Sequence, residues 1–184
     1  MTKVFIGDSR RVTRLDAEVR QRLDRIVEKG LLVLVGDANG VDRAVQTYLK
    51  KRKFDRVEVF SADESPRNNV GGWPVRVISS GRSRKDFDHY ATKDRAMAAE
   101  ATVGFMLWDG QSRGTLMNVL RLADRRKPVV VFIQSRKAFV EVRAQVDLSL
   151  LLAELDGQAA RRLRTDAAAE GLDQSFAGQS ALGW

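Results

Sequence analysis

The sequence contains no cysteine and a single histidine, His89, among its 184 residues. Without cysteine the chain cannot form a disulfide, a thiol nucleophile, an iron–sulfur cluster or a cysteine-ligated zinc site. A single histidine also excludes any metal site built from two imidazole ligands of this chain. We therefore expect neither a metal nor a cofactor.

Long apolar runs are missing as well. No segment approaches the ~18 consecutive apolar residues of a membrane-spanning helix. The apolar start of the chain, residues 3–7, is shorter than the ~7–15-residue core of a signal peptide. The sequence therefore predicts a cytoplasmic protein without a membrane partner.

Basic side chains outnumber acidic ones, 32 to 24, and the excess lies in the first part of the chain. Residues 1–134 hold 26 basic and 17 acidic side chains, whereas residues 135–184 hold 6 and 7. A basic body favours anionic partners such as nucleotides or nucleic acid. A well-solvated surface explains the same composition, so charge alone does not separate the two interpretations.

Short apolar runs alternate with segments whose apolar residues recur at helical spacing. The runs that are typical of buried strands lie at residues 3–7, 31–35, 57–60, 102–108 and 128–133. This alternation predicts an α/β, Rossmann-like, doubly wound and mostly parallel sheet of about five strands flanked by helices.

The domain organisation follows from the interruptions of this pattern. Residues 1–134 are predicted to form the Rossmann-like domain, with an insertion at about 62–92 and renewed helical periodicity at about 93–101. Connections this long are uncommon in compact domains and often form lids or binding loops. Residues 135–184 are predicted to form a helical extension, packed on the body or on a second subunit, that frays after Gly157. The apolar side of its helix is predicted to consist of Phe139, Val142, Val146, Leu150 and Ala153.

Three loops that combine glycine with charged residues follow predicted strands; they begin at Gly7, Gly36 and Asp109. In open parallel sheets, ligands bind beyond the carboxyl ends of the strands, where the strand order reverses. The candidate ligand-binding residues in and after these loops are Gly7, Ser9, Arg10, Gly36, Gly40, Asp42, Ser112, Arg113, Gly114, Thr115 and Asn118.

The third loop leads into a helix at Gly114 and Thr115. Glycine lets backbone N–H groups approach an anion, the threonine hydroxyl adds a donor, and Arg113 offers a planar fork to phosphate oxygens. A simple helix cap explains the same residues without any ligand. In the second loop, Asp42 either accepts hydrogen bonds from ribose hydroxyls or complements a helix dipole.

Together these motifs resemble the SLOG superfamily, which unites DNA-processing DprA-type proteins with the LOG phosphoribohydrolases. The segments that carry the resemblance are VFIGDSR at 4–10, GDANGVDRA at 36–44, RAM at 95–97, WDG at 108–110 and SRGT at 112–115. The similarity is greatest to the small YspA-like branch. It extends from residue 1 to about residue 133, apart from the insertion, and it implies a Rossmann-like domain that binds a nucleotide or a nucleotide-derived ligand.

The resemblance also bears on catalysis. In LOG enzymes a glutamate three positions after the threonine works with an upstream arginine on the ribosyl bond. Here Asn118 occupies the glutamate position, and either Lys93 or Arg95 occupies the arginine position. Because an amide does not stabilise an oxocarbenium-like state as a carboxylate does, binding without turnover is the preferred interpretation.

Two alternatives stay open. If the protein is an enzyme, the resemblance implies cleavage of the N-glycosidic bond of a nucleoside monophosphate, with Arg95 and Asp109 as catalytic residues and Asp42 as another candidate acid. Kinship with DprA-type proteins implies binding of single-stranded DNA as a further alternative. SLOG relatives often pair, which favours a dimer. Trp73 and the pair His89–Tyr90 either stack on a base or pin the insertion to the body.

Overall fold

The computed structural model describes residues 1–79, 81, 84–143 and 145–172. Strands and helices alternate along the chain, as the periodicity predicts. The elements are β1 (Lys3–Asp8), α1 (Ala17–Glu28), β2 (Leu32–Gly36), α2 (Val41–Lys51), β3 (Val57–Ser61), β4 (Val75–Val77), α3 (Phe87–Glu100), β5 (Val103–Trp108), α4 (Arg113–Asp124), β6 (Val129–Ile133), β7 (Ala138–Val142), α5 (Gln145–Leu152) and α6 (Gly157–Ala169).

The strands form one seven-stranded sheet in the order β4-β3-β2-β1-β5-β6-β7. Neighbouring strands from β4 to β6 are parallel, and β7 runs antiparallel to β6. The chain begins at β1 in the middle of the sheet, adds β2 to β4 on one side, and then crosses to β5 on the other. The strand order therefore reverses between β1 and β5, the place where ligands of such sheets bind.

Helices cover both faces of the sheet because side chains of successive strand residues point to opposite sides. On one face, α1 and α2 pack against residues such as Ile6 and Val35. On the other face, α3, α4 and α6 pack against residues such as Phe5, Leu34 and Trp108. The predicted α/β, Rossmann-like and mostly parallel architecture is confirmed.

The sheet has seven strands rather than about five because both edge strands lack a continuous apolar run. The three residues of β4 are half-buried or exposed, and β7 is fully buried only at Val142. The helix predicted around Phe139 and Val142 is wrong, since both residues lie in β7. Phe139 packs on Phe132 of the neighbouring strand with ring centroids 5.0 Å apart, a contact that its sequence spacing does not reveal.

Helix α3 begins at Phe87, six residues before the predicted start near 93. The side chain of Asp86 caps it by accepting a hydrogen bond from the backbone N–H of His89 at 3.0 Å. The insertion before this helix is held to the body by Trp73, which is buried and donates from Nε1 to the carbonyl of Phe54 at 3.0 Å.

The C-terminal part of the described chain belongs to the same core. Leu163, Ala167 and Leu172 are buried in the cluster that α3 and α4 form on one face of the sheet. The fraying predicted after Gly157 is wrong for the described residues, because residues 157–169 form α6 and bury Leu163 and Ala167. Residues 173–184 lie outside the described residues, and the division into a body and an extension stays a prediction. Every helix in the described part of the chain is too short or too polar to cross a lipid bilayer.

Candidate functional site

A small cavity of about 30 Å³ lies at the switch point. Four of the predicted ligand-binding residues line it, namely Gly7, Arg10, Asp42 and Asn118. The other lining residues are Phe5, Ala38, Tyr90, Lys93, Asp94 and Met97. The end of β1, the start of α2, α3 and α4 therefore converge on one place, as the strand order predicts. We call this cavity and its lining the crevice.

Asp42 is the buried acid of the crevice, with an exposed fraction of 5%. Its Oδ2 accepts a hydrogen bond from the backbone N–H of Ala38 at 3.0 Å and lies 3.8 Å from Nζ of Lys93. Burial raises the pKa of Asp42 to about 6, although Lys93 opposes the shift. Near neutral pH this carboxyl group is therefore close to its titration point.

Lys93 is buried beside three carboxylates. Its Nζ lies 3.0 Å from Asp94, 3.8 Å from Asp42 and 3.9 Å from Asp37. Burial alone would lower the pKa of Lys93, but these three carboxylates together hold it above its ordinary value. Lys93 is therefore a permanent positive charge beneath the crevice.

Gly36 makes this buried pair possible. A Cβ atom at Gly36 would lie 2.3 Å from Asp42 Oδ2 and 2.4 Å from Lys93 Nζ. Both distances are shorter than van der Waals contact allows, so any other residue at this strand end would separate the two charges. This glycine thus gives room to the carboxylate and the ammonium group, and its contact with a ligand stays a prediction.

Tyr90 and Arg10 line the crevice, and Arg67 lies against the Tyr90 ring beside it. The guanidinium carbon of Arg67 lies 4.4 Å from the centre of the Tyr90 ring, and that of Arg10 lies 5.4 Å from it. Arg67 also donates to the buried Asp37 from Nη2 at 2.8 Å and from Nε at 3.2 Å. Burial would raise the pKa of Asp37, but hydrogen bonds from Arg67 and the charge of Lys93 hold it below its ordinary value.

Asp109 organises the third loop. It accepts hydrogen bonds from the backbone N–H groups of Gln111 and Ser112 at 2.9 and 2.6 Å, and from the hydroxyls of Ser112 and Ser9 at 2.9 and 3.0 Å. Partial burial would raise the pKa of Asp109, but these four donors hold it below its ordinary value. The carboxylate is thus stably ionised and joins the end of β1 to the start of α4.

The start of α4 contains a buried hydroxyl group that has no hydrogen-bond partner in the part of the chain that the structure describes. Thr115 is fully buried, and within the described residues its Oγ1 has no hydrogen-bond partner. Buried polar groups are nearly always paired, so such an atom calls for an explanation. Gly114 precedes it as the second residue of α4 and is half-buried. Asn118, one turn further, accepts a hydrogen bond on Oδ1 from Nη1 of Arg121 at 2.6 Å.

Two predicted residues face α6 instead of the crevice. Arg113 Nε lies 2.9 Å from Asp166 Oδ2, and its guanidinium group stacks on the ring of Phe87 at 4.7 Å. Arg95 pairs with Asp88 and with Glu170 and lines a different cavity, between α3, α4 and α6. Lys93 and Arg95 were the two candidates for the position of the arginine of LOG enzymes. Of these two residues, Lys93 is the one that lines the crevice.

Gly40 has a packing role. It precedes α2 with φ of 82°, and a Cβ atom there would lie 2.5 Å from the carbonyl oxygen of Ser9. Only glycine allows the second loop to approach the first this closely in that conformation. The Arg67–Asp37 pair could not be predicted from the sequence, because its members are 30 residues apart and meet only through the fold.

The fold places this chain in the class of Rossmann-like α/β proteins. Its structure is similar to that of DNA processing protein A from Helicobacter pylori, a protein described for its single-stranded DNA binding mode. The TM-score is 0.50 at 16% identity, over 91% of this chain and 81% of that chain. The two proteins thus share a fold of the DprA type. No protein-family model matches the sequence, and no curated protein matches it significantly.

Proposed function

We propose that this protein binds a nucleotide, or a ligand derived from one, at the crevice, as the similarity to the YspA-like branch implies. The observation that carries the proposal is the convergence of Gly7, Asp42 and Asn118, from three separate segments, on one cavity at the switch point. In sheets of this topology the switch point is where nucleotides bind.

The phosphate would rest at the start of α4. The backbone N–H groups of the first helical turn have no partner within a helix and favour an anion. Thr115 would add its hydroxyl, which has no protein partner within the described residues. Arg113 would contribute only after leaving Asp166, because the two are 2.9 Å apart. Ser9 and Ser112, whose hydroxyls are 3.0 Å apart, connect this turn to the end of β1.

The ribose and the base would occupy the crevice itself. Asp42 is an acceptor for ribose hydroxyls, and Tyr90 offers a ring on which a base can stack. A volume of about 30 Å³ holds little more than one water molecule. Binding must therefore displace the side chains on the open side, Arg10 and Tyr90, which are exposed and half-buried respectively.

The substitution Thr115→Val tests the phosphate site because it removes one buried hydroxyl at constant shape. We expect at least one member of a panel of AMP, GMP, CMP, UMP and ADP-ribose to raise the melting temperature of the wild type at millimolar concentration. Thr115→Val should weaken that binding about tenfold, since a hydrogen bond to a phosphate is lost. The free variant should be at least as stable as the wild type, because no protein hydrogen bond is broken.

Thr165→Val is the matched control. It makes the same change on the exposed side of α6, where the hydroxyl donates only to the carbonyl of Arg161 at 3.1 Å. Its binding should equal that of the wild type. If no nucleotide raises the melting temperature, or if Thr115→Val binds as tightly as the wild type, the proposed site is wrong.

A second candidate function is hydrolysis of the N-glycosidic bond of a nucleoside monophosphate. Asp42 favours it, because a carboxyl group with a pKa of about 6 can act as a general acid or base near neutral pH. Asp109 is a weaker candidate for that role, since four donors already hold its carboxylate. Incubation with AMP should release free adenine if this candidate is correct, and Asp42→Asn should abolish the release.

Binding of single-stranded DNA is a third candidate, supported by what is known of the structural neighbour and by the net charge of +8. A nucleic-acid strand and a single nucleotide differ in the number of phosphates that they present, which makes their salt dependence different. The cytoplasmic location and the dimer stay predictions from the sequence.

A further inference from the structure

A second, much larger depression lies on the opposite side of the second loop from the crevice. It has a volume of about 930 Å³ and runs between the segment before α1, one face of α2, and the turn that joins β6 to β7. This volume is within the range of pockets that hold small molecules, roughly 300–1,000 Å³. We call it the α1–α2 groove.

The groove is lined by five exposed cationic side chains. They are Arg14, Arg20, Arg43, Lys51 and Lys137. Its acidic residue is Asp16, whose Oδ2 accepts a hydrogen bond from Gln134 at 2.8 Å. Within the described ranges none of the five cations has an ion-pair partner, although Arg20 donates to the carbonyl of Leu15 at 3.2 Å. The groove thus carries four positive charges in excess, which a bound anion would neutralise.

The cations are spread along the groove. Arg43 and Lys51 lie on the groove side of α2, eight residues apart, which corresponds to ~12 Å along the helix axis. Lys137 approaches from the β6–β7 turn. A single phosphate cannot neutralise charges distributed over this length, whereas several linked phosphates can.

The groove offers little to a nucleobase. Tyr48 is the aromatic residue among the described residues that line it, and its hydroxyl is engaged with Asp24 at 2.8 Å. Proteins that hold single-stranded nucleic acid combine a basic groove with several aromatic rings on which bases stack. The lining therefore suits a ligand that is recognised by its phosphates alone.

We propose that the α1–α2 groove binds a chain of linked phosphates, either free or at the end of a nucleotide, at a site separate from the crevice. Lys137 at its wall is suited to a test of this proposal. Its φ is 49°, in the left-handed region that glycine or asparagine occupies more readily. Lys53 has the same conformation outside the groove, with φ of 52°.

The test measures binding of inorganic tripolyphosphate to the full chain by calorimetry at constant ionic strength. The double variant Arg43→Gln/Lys51→Gln should weaken binding about tenfold or more, because two charge-assisted contacts are lost. The double variant Arg25→Gln/Lys29→Gln is the matched control, since it removes two exposed charges, one from α1 and one from its C-cap, that do not line the groove. The control should bind as the wild type does.

Lys137→Gly separates binding from folding. It should weaken tripolyphosphate binding severalfold while keeping or raising the melting temperature, because glycine relieves the left-handed conformation. Lys53→Gly makes the same change at φ of 52° outside the groove and should leave binding unchanged.

Competition identifies the ligand. If ATP displaces tripolyphosphate more effectively than AMP does, the ligand is a phosphate chain at the end of a nucleotide. If tripolyphosphate binds more tightly than ATP, the ligand is a free phosphate chain. Orthophosphate that binds as tightly as tripolyphosphate would overturn the proposal, as would equal losses in the two double variants. Oligothymidylate that binds the groove without displacement by tripolyphosphate would also overturn it, in favour of a nucleic-acid strand. None of these outcomes depends on nucleotide binding in the crevice.

Discussion

Asp42 combines burial, a nearby positive charge and a position at the switch point. The carboxyl group is removed from water by β1, β2 and α3, and Lys93 offsets only part of the cost of ionising it. If Asp42 were only an uncharged cap of α2, the end of β2 would not need a glycine at position 36. Gly36 gives room there to the carboxylate of Asp42 and the ammonium group of Lys93. At the scale of single residues, this pair is the feature of the molecule that most resembles functional chemistry.

The titration of Asp42 predicts how stability depends on pH. The pKa of the folded protein, about 6, is above the ordinary value of 3.8, so the folded state binds a proton more tightly than the unfolded state. The contribution to stability is complete below the ordinary value and is lost as the pH rises through about 6. Between about pH 7.5 and pH 5, the wild type should therefore gain about 1 kcal/mol relative to Asp42→Asn.

Urea denaturation of both proteins at the two pH values measures this gain, because other titrating groups cancel in the difference. Asp55→Asn, at an exposed aspartate, is the control. A difference between wild type and Asp42→Asn that stays constant, or that changes in the opposite direction, would show that Asp42 titrates normally.

At the scale of elements, α6 packs on α4 in the apolar cluster on one face of the sheet. Leu163 and Ala167 are buried on its apolar side. Glu170, immediately after the helix, accepts hydrogen bonds from Arg121 and Arg95. Burial would raise the pKa of Glu170, but hydrogen bonds from these arginines hold it below its ordinary value. The helix is thus held by both apolar packing and ion pairs. Its Asp166 also pairs with Arg113, a predicted phosphate ligand.

The ion pair of Glu170 predicts a large effect of substitution. Arg121 has a side chain only 2% exposed, so Glu170→Gln leaves a buried cation without its counter-charge. We expect a loss of about 3 kcal/mol in the free energy of unfolding. Glu154→Gln, whose partner Arg136 is 58% exposed, should cost less than about 1 kcal/mol. Denaturation of the two variants side by side measures the contrast, and equal losses would refute a structural role for the buried pair.

At the scale of the whole molecule, the two regions proposed to bind anions flank the second loop. The crevice lies towards α3 and α4, and the α1–α2 groove lies on the other face of the sheet. Both are at the carboxyl edge of the strands, where the loops after β1 and β2 meet. The net charge of +8 acts on a ligand at either region and attracts nucleic acid in general.

Salt dependence separates these possibilities. A nucleotide in the crevice is held by few charges, so its affinity should fall less than about tenfold between 50 and 200 mM salt. A single strand of which the protein neutralises six to ten phosphates should lose about 10²–10⁴ in affinity over the same range. Titrations of AMP and of oligothymidylate at several salt concentrations measure both slopes. A steep slope for oligothymidylate with no detectable binding of AMP would make DNA binding the principal function.

Much of this architecture is predictable from the sequence because it depends on local periodicity. The buried runs at residues 31–35 and 128–133 can only be interior strands, and the glycines that follow β1 and β2 mark the ends where ligands bind. The convergence of Gly7, Asp42 and Asn118 then follows from the topology. Edge strand β7 could not be predicted in this way, because one half-buried face leaves too few apolar residues to distinguish a strand from a helix.

The sequence alone determined the α/β class and the glycine-containing loops that follow the strands, since apolar periodicity and glycine placement are properties of consecutive residues. The strand order, and with it the position of the switch point, came from the tertiary structure. Only the tertiary structure decided which charges are buried and which are paired. Lys93 and Arg95 are two positions apart on α3, yet one lies beneath the crevice and the other faces α6. Their roles differ because burial and ion pairing depend on residues distant in sequence, which come together only when the sheet and its helices pack.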